Sequence, residues 1–300
     1  SGTYTYNNNT TYRYSGRGIY GYQATGITVT QDSTIEQNDS IGLDVFEGVP
    51  PIVKDTDFTD NGNSAISLRN VLPGLGSDNI VATNNGIDAI RVNATIVNQV
   101  DTFPYSNLPY YFDSLTVNSG STLTLPAGQK IMVRSVSSLP SPPNRSSVVI
   151  NGTLIAKSPD PSRPIIFTSV NDNEANGVPT PQDWTGLYFG PTSSGSILEH
   201  VEVRYAGGAY QLSHNDSAVT GRSNSTPYLT FSSIYLDEGS SVSISNSKIY
   251  SGTGSGINVY KADLTLTNSD VSQMLSGTYT YNNNTTYRYS GRGIYGYQAT

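Results

Sequence analysis

Short runs of alternating apolar and polar residues recur along this chain. The runs at 27–29, 43–45, 66–68, 90–92 and 257–259 each place an apolar residue at every second position. A period of two is typical of β-strands, and Gly, Asn, Asp and Ser fill the gaps between the runs. Because no stretch shows the 3.6-residue apolar stripe of an amphipathic helix, the pattern predicts an all-β protein of very short strands.

A second regularity is a step of 23 residues between equivalent positions of 31–45 and 54–68. The superimposed pairs are Ile35 and Phe58, Asn38 and Asn61, Gly42 and Ala65, Leu43 and Ile66, and Val45 and Leu68. A third copy, with one extra residue, brings Asn85 and Ile90 into register. Such a period fits one coil of a solenoid, in which each coil buries its apolar residues against the next.

Recurrent amide and small residues indicate how these coils would turn. We expect Asn38, Asn61 and Asn85 to lie at a bend, because asparagine tolerates left-handed geometry and its amide can hydrogen-bond along a stack. Gly42 and Ala65 each precede the apolar anchor of a coil, and we expect little room for a side chain there.

A longer repeat spans the whole chain. Residues 1–25 and 276–300 are identical letter for letter, which gives a period of 275 residues. Chance cannot produce an identity of this length. The repeat favours a segment of a longer tandem array over an artificial duplication, and in such an array a signal sequence or an anchor would lie elsewhere.

Four strings in the middle of the chain carry a family resemblance. They are NGTLIA at 151–156, PIIFTS at 164–169, DWTGL at 183–187 and LEHVEVRYAGG at 198–208. With the strand pattern of 115–134, they resemble the right-handed parallel β-helix domains of prokaryotic cell-surface and extracellular, adhesin-like proteins. The resemblance implies this fold and an extracellular or cell-surface location, and it implies no particular activity.

The chain then divides into three parts. Residues 1–99 would be the C-terminal coils of one β-helix unit with a Tyr-rich hairpin at 3–14, residues 100–275 the start and middle of the next unit, and 276–300 a continuation into the following coils. The expected apolar anchors of successive coils are Ile19, Leu43, Ile66, Ile90, Leu115, Val149, Leu187, Leu229 and Ile257. They predict about nine coils per unit, each adding roughly 4.8 Å, and hence an axial advance of about 43 Å.

The Tyr-rich segment at the start of the chain predicts a β-hairpin. A loop at 7–11 would pair Tyr6 with Tyr12 and Tyr4 with Tyr14, and would put these four tyrosines on one face. One interpretation is a cover packed on the rest of the fold. The other is a surface for glycan or fibre contacts, because amphipathic rings suit interfaces.

Composition narrows the possible partners. The chain has 16 Lys and Arg against 23 Asp and Glu, a formal net charge of -7, and no Cys. An acidic surface is a poor match to nucleic acid or to anionic lipid. No apolar run approaches the length of a membrane span, and the lack of Cys excludes disulfides and zinc–thiolate sites.

Sequons for N-glycosylation are frequent, as expected for a chain so rich in Asn, Ser and Thr. Those that fall in predicted surface loops are the better candidates for modification. They are Asn8, Asn9, Asn144, Asn215 and Asn224. Asn38 also belongs to a sequon, but as a stacked bend residue it would be a poor acceptor.

The sequence predicts no catalytic, cofactor-binding or metal-binding residue. Asp32 and Asp55 align at a step of 23, position 78 alone continues them, and no Arg or Lys recurs beside them. His200 lies in a strand pattern, where an outward or edge position is expected. The acidic loop at 170–177 offers oxygen ligands but matches no calcium motif, so solvated turn residues are favoured.

These observations favour a structural, extracellular tandem-repeat β-solenoid that forms a stalk, fibre or filament shaft on or outside a prokaryotic cell. Its partners would be neighbouring repeats, with glycans or other fibres in addition. A glycan-binding adhesin that uses the loops and the Tyr-rich hairpin is the alternative. A polysaccharide lyase or glycosidase is a third, because many β-helices have such activity, although fold alone cannot argue for it.

Overall fold

The computed structural model consists of β-strands and connecting segments in the residues that it describes, which are 2–6, 10–14, 16–74, 77–93, 96–135, 147–173, 177–212, 229–281 and 285–299. Most strand pairs are parallel, which confirms the all-β prediction. Within these ranges no helix is long and apolar enough to cross a membrane. The chain divides into two compact units, of which unit 1 comprises Ser1–Ala94, Phe103–Phe112 and Asn173–Gly177, and unit 2 the remainder.

Unit 1 contains two parallel sheets and an antiparallel hairpin. Its strands are β1 (Gly2–Tyr6), β2 (Thr10–Tyr14), β3 (Ile19–Ala24), β4 (Thr28–Val29), β5 (Ser33–Glu36), β6 (Leu43–Gly48), β7 (Ile52–Thr59), β8 (Ser64–Arg69), β9 (Ser77–Thr83), β10 (Ile87–Val92) and β13 (Tyr110–Phe112). One sheet has the order β13-β10-β8-β6-β3, and in the other β7 pairs with β4, β5 and β9. From β3 to β10 the chain therefore passes alternately between the two sheets.

The register of unit 1 follows the short sequence repeat. Ile19 pairs with Leu43, Leu43 with Ile66, and Ile66 with Ile90. Leu43, Ile66 and Ile90 are buried together in the core. The expected small positions are also confirmed, because a Cβ added to Gly42 would lie 2.6 Å from the carbonyl oxygen of Ala65.

The expected position of the asparagines at the bends of unit 1 is wrong by one residue. The left-handed backbone position falls one residue before each recurrent asparagine, at Gln37, Asp60 and Asn84, with φ of 55°, 56° and 58°. Asn38 and Asn61 therefore act through their amides and not through their backbone angles. Nδ2 of Asn38 donates to Oδ1 of Asn61 at 2.8 Å, and Asn61 repeats the contact to Asn85 at 2.7 Å.

Unit 2 contains three parallel sheets. Its strands are β11 (Ile96–Val97), β12 (Val100–Thr102), β14 (Leu115–Val117), β15 (Thr122–Leu125), β16 (Lys130–Val133), β17 (Ser147–Ile150), β18 (Thr153–Lys157), β19 (Ile165–Ser169), β20 (Gly186–Phe189), β21 (Ser196–Glu199), β22 (Val201–Arg204), β23 (Ala209–Gln211), β24 (Leu229–Leu236), β25 (Ser241–Ser245), β26 (Lys248–Tyr250), β27 (Ser255–Tyr260), β28 (Asp263–Thr267), β29 (Asp270–Val271), β30 (Gly277–Tyr281), β31 (Thr285–Tyr289) and β32 (Arg292–Tyr297). The sheet orders are β11-β14-β17-β20-β24-β27-β32, β12-β15-β18-β21-β25-β28 and β16-β19-β22-β26-β29. From β14 to β29 the chain visits the three sheets in constant rotation, with β23 as an extra strand on β24.

The core of unit 2 is a column of aliphatic residues in strict register. Leu115 pairs with Val148, Val148 with Leu187, Leu187 with Ile234, and Ile234 with Ile257. All five are at most 1% exposed. The spacing between partners varies widely along this column, so the variable connections do not disturb the register.

Two expected anchors are wrong, and so is one step between successive anchors. Val148, and not Val149, occupies the core column, because a shift of one residue moves a strand side chain to the opposite face. Ile234 takes the place expected for Leu229, since β24 first pairs with β23 and only its later half joins the column. Ile90 pairs with Tyr110 and not with Leu115, which belongs to a different sheet.

The hairpin β1–β2 is confirmed, but its expected register is wrong. Tyr4 pairs with Tyr12, and Tyr6 pairs with Thr10, so the connection is 7–9. A slip of two residues keeps every side chain on its own face, and the alternation pattern therefore could not distinguish the two registers. The hairpin β30–β31 repeats the observed register, with Tyr279 opposite Tyr287.

Candidate interaction surface

The second copy of the hairpin packs its tyrosines on unit 2. Tyr287 is 6% exposed and forms a cluster with Ala209, Leu229 and Phe231. The ring of Tyr289 stacks on Phe231 with 4.7 Å between centroids. In this copy the hairpin is a cover, as one of the two interpretations predicted.

Two further contacts hold this hairpin. The ring of Tyr279 lies 5.6 Å from that of Phe231, and the hydroxyl of Tyr289 donates to Oε1 of Gln182 at 3.3 Å. Burial raises the pKa of Tyr289. For Tyr4, Tyr6, Tyr12 and Tyr14 the structure describes the strand backbone alone, so a surface role for these four side chains stays a prediction.

A polar cleft of about 270 Å³ opens beside this hairpin. Its lining residues are Leu229, Thr230, Phe231, Gly254, Ser255, Asn258, Arg288, Tyr289, Ser290, Arg292 and Tyr295. The lining contains two guanidinium groups and no carboxylate, in a chain whose net charge is -7. Tyrosine rings, an amide and guanidinium groups together can bind a sugar ring and a carboxylate on it.

The cleft contains one buried amide and one guanidinium that stacks on a tyrosine ring. Asn258 is 7% exposed, and its Nδ2 donates to the hydroxyl of Thr230 at 3.2 Å, while its Oδ1 has no hydrogen-bond partner. The guanidinium of Arg292 lies 4.8 Å from the ring centroid of Tyr295, which holds it in place by cation–π attraction. Arg288 is exposed at the rim.

No protein-family model, no curated protein and no solved structure matches this chain.

The expected glycosylation sites are five asparagines. Asn8, Asn9, Asn144, Asn215 and Asn224 all lie outside the described residues.

Asn38, the sequon expected to be a poor acceptor, lies within the described part of unit 1. Its side-chain nitrogen donates to Asn61 and to the carbonyl of Glu36, so the amide is already committed to the fold.

An ion-pair cluster on unit 2 was not found from the sequence. Asp172, expected as a solvated turn residue, accepts hydrogen bonds from Nε of Arg204 at 2.9 Å and from the hydroxyl of Thr168 at 2.8 Å, and Nζ of Lys130 lies 3.6 Å away. All three contacts are made to Oδ2 of the carboxylate. Across the described ranges, no group of three or more His, Asp or Glu side chains lies close enough together to hold a metal ion.

The same cluster extends to the next strand. Arg204 donates to the hydroxyl of Tyr250 at 3.0 Å, and that hydroxyl donates to Oε2 of Glu202 at 2.9 Å. Burial lowers the pKa of Arg204, but the hydrogen bond with Tyr250 and the charge of Asp172 outweigh it, so this pKa is raised overall. Glu202 and Arg204 are two positions apart on one strand face, which was the only sequence signal for the pairing.

A second unrecognised cluster is a set of stacked tyrosines on β20 and β24. The rings of Tyr188 and Tyr235 lie 5.6 Å apart, and Tyr210 stacks on Tyr188 at 4.3 Å. The hydroxyl of Tyr188 donates to Oδ2 of Asp237. Burial and the neighbouring carboxylate of Asp237 raise the pKa of both Tyr188 and Tyr210.

Asp44 is the most completely buried carboxylate of unit 1, with no exposed side-chain surface. Arg69 binds it through Nε at 2.8 Å and Nη2 at 2.9 Å, and Nε of Arg17 lies 2.6 Å from Oδ2. Arg17 also stacks over Tyr20 at 4.6 Å. Burial lowers the pKa of Arg69, but the hydrogen bonds and charge interactions with Asp44 and Tyr20 together outweigh it, so that this pKa is raised.

Acidic residues on the bends of unit 1 do not form a matched pair. Asp32 and Asp55 occupy left-handed positions with φ of 55° and 47°, and Asn79, with φ of 52°, continues them. The expected continuation at position 78 is wrong, because Asp78 pairs with Lys54 in the strand. Nδ2 of Asn79 donates to Asp55.

His200 lies between β21 and β22 with a φ of 51°. Its Nδ1 is 2.7 Å from the carbonyl oxygen of Ser158. His200 therefore lies at the bend between two strands and not within a strand, and it is half-buried.

Proposed function

We propose that this chain is part of a structural, extracellular tandem-repeat protein whose units are right-handed parallel β-helices, and that it serves as a stalk, fibre or filament shaft of a prokaryotic cell. The observation that carries the proposal is the core column of unit 2. It keeps one register from Leu115 to Ile257 while the chain visits the three sheets in rotation. Sequence identity of 1–25 and 276–300 supplies the tandem element.

This arrangement suits a load-bearing role for physical reasons. Parallel pairing of successive strands directs backbone hydrogen bonds along one axis, and the stacked Leu, Ile and Val residues form a continuous core. Each buried aliphatic side chain contributes about 1.5–3 kcal/mol. Amide contacts such as Asn38 to Asn61 add polar connections between neighbouring coils.

Electron microscopy of the native assembly tests the proposal. We expect a continuous rod whose axial repeat is about 43 Å, from roughly nine coils at the spacing of adjacent strands. Isolated particles, or beads on flexible linkers, would contradict a continuous shaft.

A second candidate function is glycan binding, which the cleft beside the β30–β31 hairpin favours. Its two arginines and Tyr295 suit a carboxylate-bearing sugar such as a uronic acid. Calorimetry with an oligoglucuronate should give saturable binding to the 300-residue chain, weakened at least tenfold by Arg288→Ala. Lys248→Ala, which removes an exposed cation from β26, is the matched control and should bind normally. Equal loss in both variants would mean non-specific charge attraction only.

A further inference from the structure

We propose that the open edge of β32 is a docking surface for a following copy of the same repeat, and that residues equivalent to 41–48 of that copy occupy it. The partner is the covalent continuation of the chain after its second copy of the 25-residue segment. The inference rests on the tandem organisation proposed above, and it adds the residues that join one repeat to the next.

One sequence is present in two environments. In the second copy, β32 pairs with β27, which precedes it in the sheet order, and Ile294 lies opposite Ile257. In the first copy, β3 pairs with β6, which lies later in the chain, and Ile19 is opposite Leu43. Because residue 294 repeats residue 19, the two copies together display both neighbours of a single strand.

Backbone N–H groups of the segment bind carbonyl groups of different neighbours in the two copies. In the first copy, the amides of Gly18 and Ile19 donate to the carbonyls of Ile41 and Gly42, at 3.0 and 2.9 Å. In the second copy, the amide of Arg292 donates backwards to the carbonyl of Gly254 at 3.0 Å. β32 ends the strand order of its sheet. The copies of Gly18 and Ile19 therefore point their donors at the open edge.

The glycines of the segment show the same division. A Cβ added to Gly18 would lie 2.7 Å from the carbonyl oxygen of Gly42, which is too close for any side chain. The same residue in the second copy, Gly293, has room, since its added Cβ would meet nothing nearer than the carbonyl oxygen of Val271 at 3.7 Å. By contrast, a Cβ added to Gly291 would clash with the backbone carbonyl of Met274, which lies 17 residues earlier in the chain. Gly18 thus makes room for the residue that precedes β6, and Gly291 makes room for the segment between β29 and β30.

An arginine gives an independent indication. Arg17 lies over Tyr20 and reaches the buried carboxylate of Asp44. Arg292 takes the same pose over Tyr295, at 4.8 Å against 4.6 Å, and no described carboxylate lies within ion-pair distance of it. A following copy of residues 41–48 would bring an aspartate equivalent to Asp44 to this guanidinium.

The edge is also apolar where the partner would cover it. Ile294 is 49% exposed, whereas Ile19, which has β6 beside it, is half-buried. Pairing with a leucine equivalent to Leu43 would remove this surface from water. Backbone donors, glycine, arginine and isoleucine therefore all indicate the same occupant.

The test compares the 300-residue chain with the same chain followed by a further copy of residues 26–300. Hydrogen exchange should become at least tenfold slower at the amides of Gly293 and Ile294 in the extended chain, because both amides gain carbonyl acceptors. Unchanged exchange at both amides would overturn the proposal.

A pair of glycine variants provides the control. Gly293→Ala should leave the midpoint of thermal unfolding of the 300-residue chain unchanged and should abolish the added protection in the extended chain. Gly291→Ala should lower the stability of both chains, because its added methyl group would meet the backbone of Met274 in each. Equal behaviour of Gly293→Ala in both chains would contradict the docking surface.

These outcomes separate the inference from the proposed function. An extended chain with protected amides but native material without rods would support the docking surface and contradict the shaft. Native rods together with an unprotected β32 edge would support the shaft and show that the repeats are joined in another way.

Discussion

Asn38 donates a side-chain hydrogen bond of 2.8 Å to Asn61, which lies 23 residues further along the chain on the next bend of unit 1. Asn61 in turn donates to Asn85 and to the carbonyl of Ile35. Each amide thus satisfies its neighbours on both sides. A ladder of this kind fixes the bends in register, because loss of one member leaves buried polar groups without partners.

Asn61→Ala should therefore destabilise unit 1 by about 2–3 kcal/mol, since it removes one acceptor of the Asn38 amide and the side-chain donor to the carbonyl of Ile35. Urea unfolding followed by circular dichroism measures the loss. Gln99→Ala, which removes an exposed surface amide, is the control and should cost little. A similar loss in both variants would contradict a special role for the ladder.

Asp44→Asn should cost about 2 kcal/mol or more, because two partly buried arginines lose their shared counter-charge. The measurement is the shift in thermal unfolding. In a double-mutant cycle, Arg69→Gln should cost much less in the Asp44→Asn background than in the native chain. Additive losses would mean that the two side chains are not coupled.

Stability should fall at alkaline pH. Burial raises the pKa of Tyr110, Tyr188 and Tyr210 above the ordinary tyrosine value of 10.0, so the folded protein keeps their protons while the unfolded chain releases them. Their contribution is complete below about pH 10 and declines above it, by about 1.4 kcal/mol per pH unit for each tyrosine. Unfolding midpoints measured from pH 8 to 11.5 test this.

The control for that experiment is Tyr188→Phe, which removes one titrating hydroxyl from the stacked cluster. Its stability should depend less steeply on pH above 10, although it loses the hydrogen bond to Asp237 at every pH. A native protein that is equally stable at pH 9 and pH 11.5 would show that these tyrosines ionise freely when folded.

Tyr287→Ser should release the β30–β31 hairpin from unit 2, because the buried ring contacts Leu229 and Phe231. Limited proteolysis should then cut within 277–289 at least tenfold faster than in the native chain. Arg288→Ser changes the exposed neighbour on the opposite face and serves as the control. Equal cleavage of both variants would mean that the tyrosine does not anchor the hairpin.

The sequence predicted the register of β3, β6, β8 and β10 in unit 1, and it failed for the hairpin β1–β2 and at specific points of unit 2. Ile19, Leu43 and Ile66 recur at nearly constant steps, since short bends of similar length join their strands. β24 is buried at every position, so no alternation marks which residue enters the core column. Val149 was predicted as the anchor instead of Val148 for a related reason. Val149 points away from the core column, but it also packs against apolar side chains, among them tyrosines.

The side-chain clusters were harder to predict than the strands. Arg17 and Asp44 meet because β3 and β6 are neighbours, and their separation of 27 residues matches no local motif. From its sequence context Asp172 was expected to be a solvated turn residue, whereas in the fold it pairs with Arg204 from another strand. Such pairs depend on which strands become adjacent, and the apolar pattern of a single strand does not contain that information.

The core column of unit 2 has a consequence for how such a protein can diversify. Leu187 and Ile234 are adjacent in the core column although 47 residues separate them, whereas Ile234 and Ile257 are only 23 apart. The column therefore tolerates inserted chain at this crossing without losing register. In a tandem array whose repeats all carry such an insertion, the inserted segments would be displayed at an interval set by the backbone and independent of the inserted sequence.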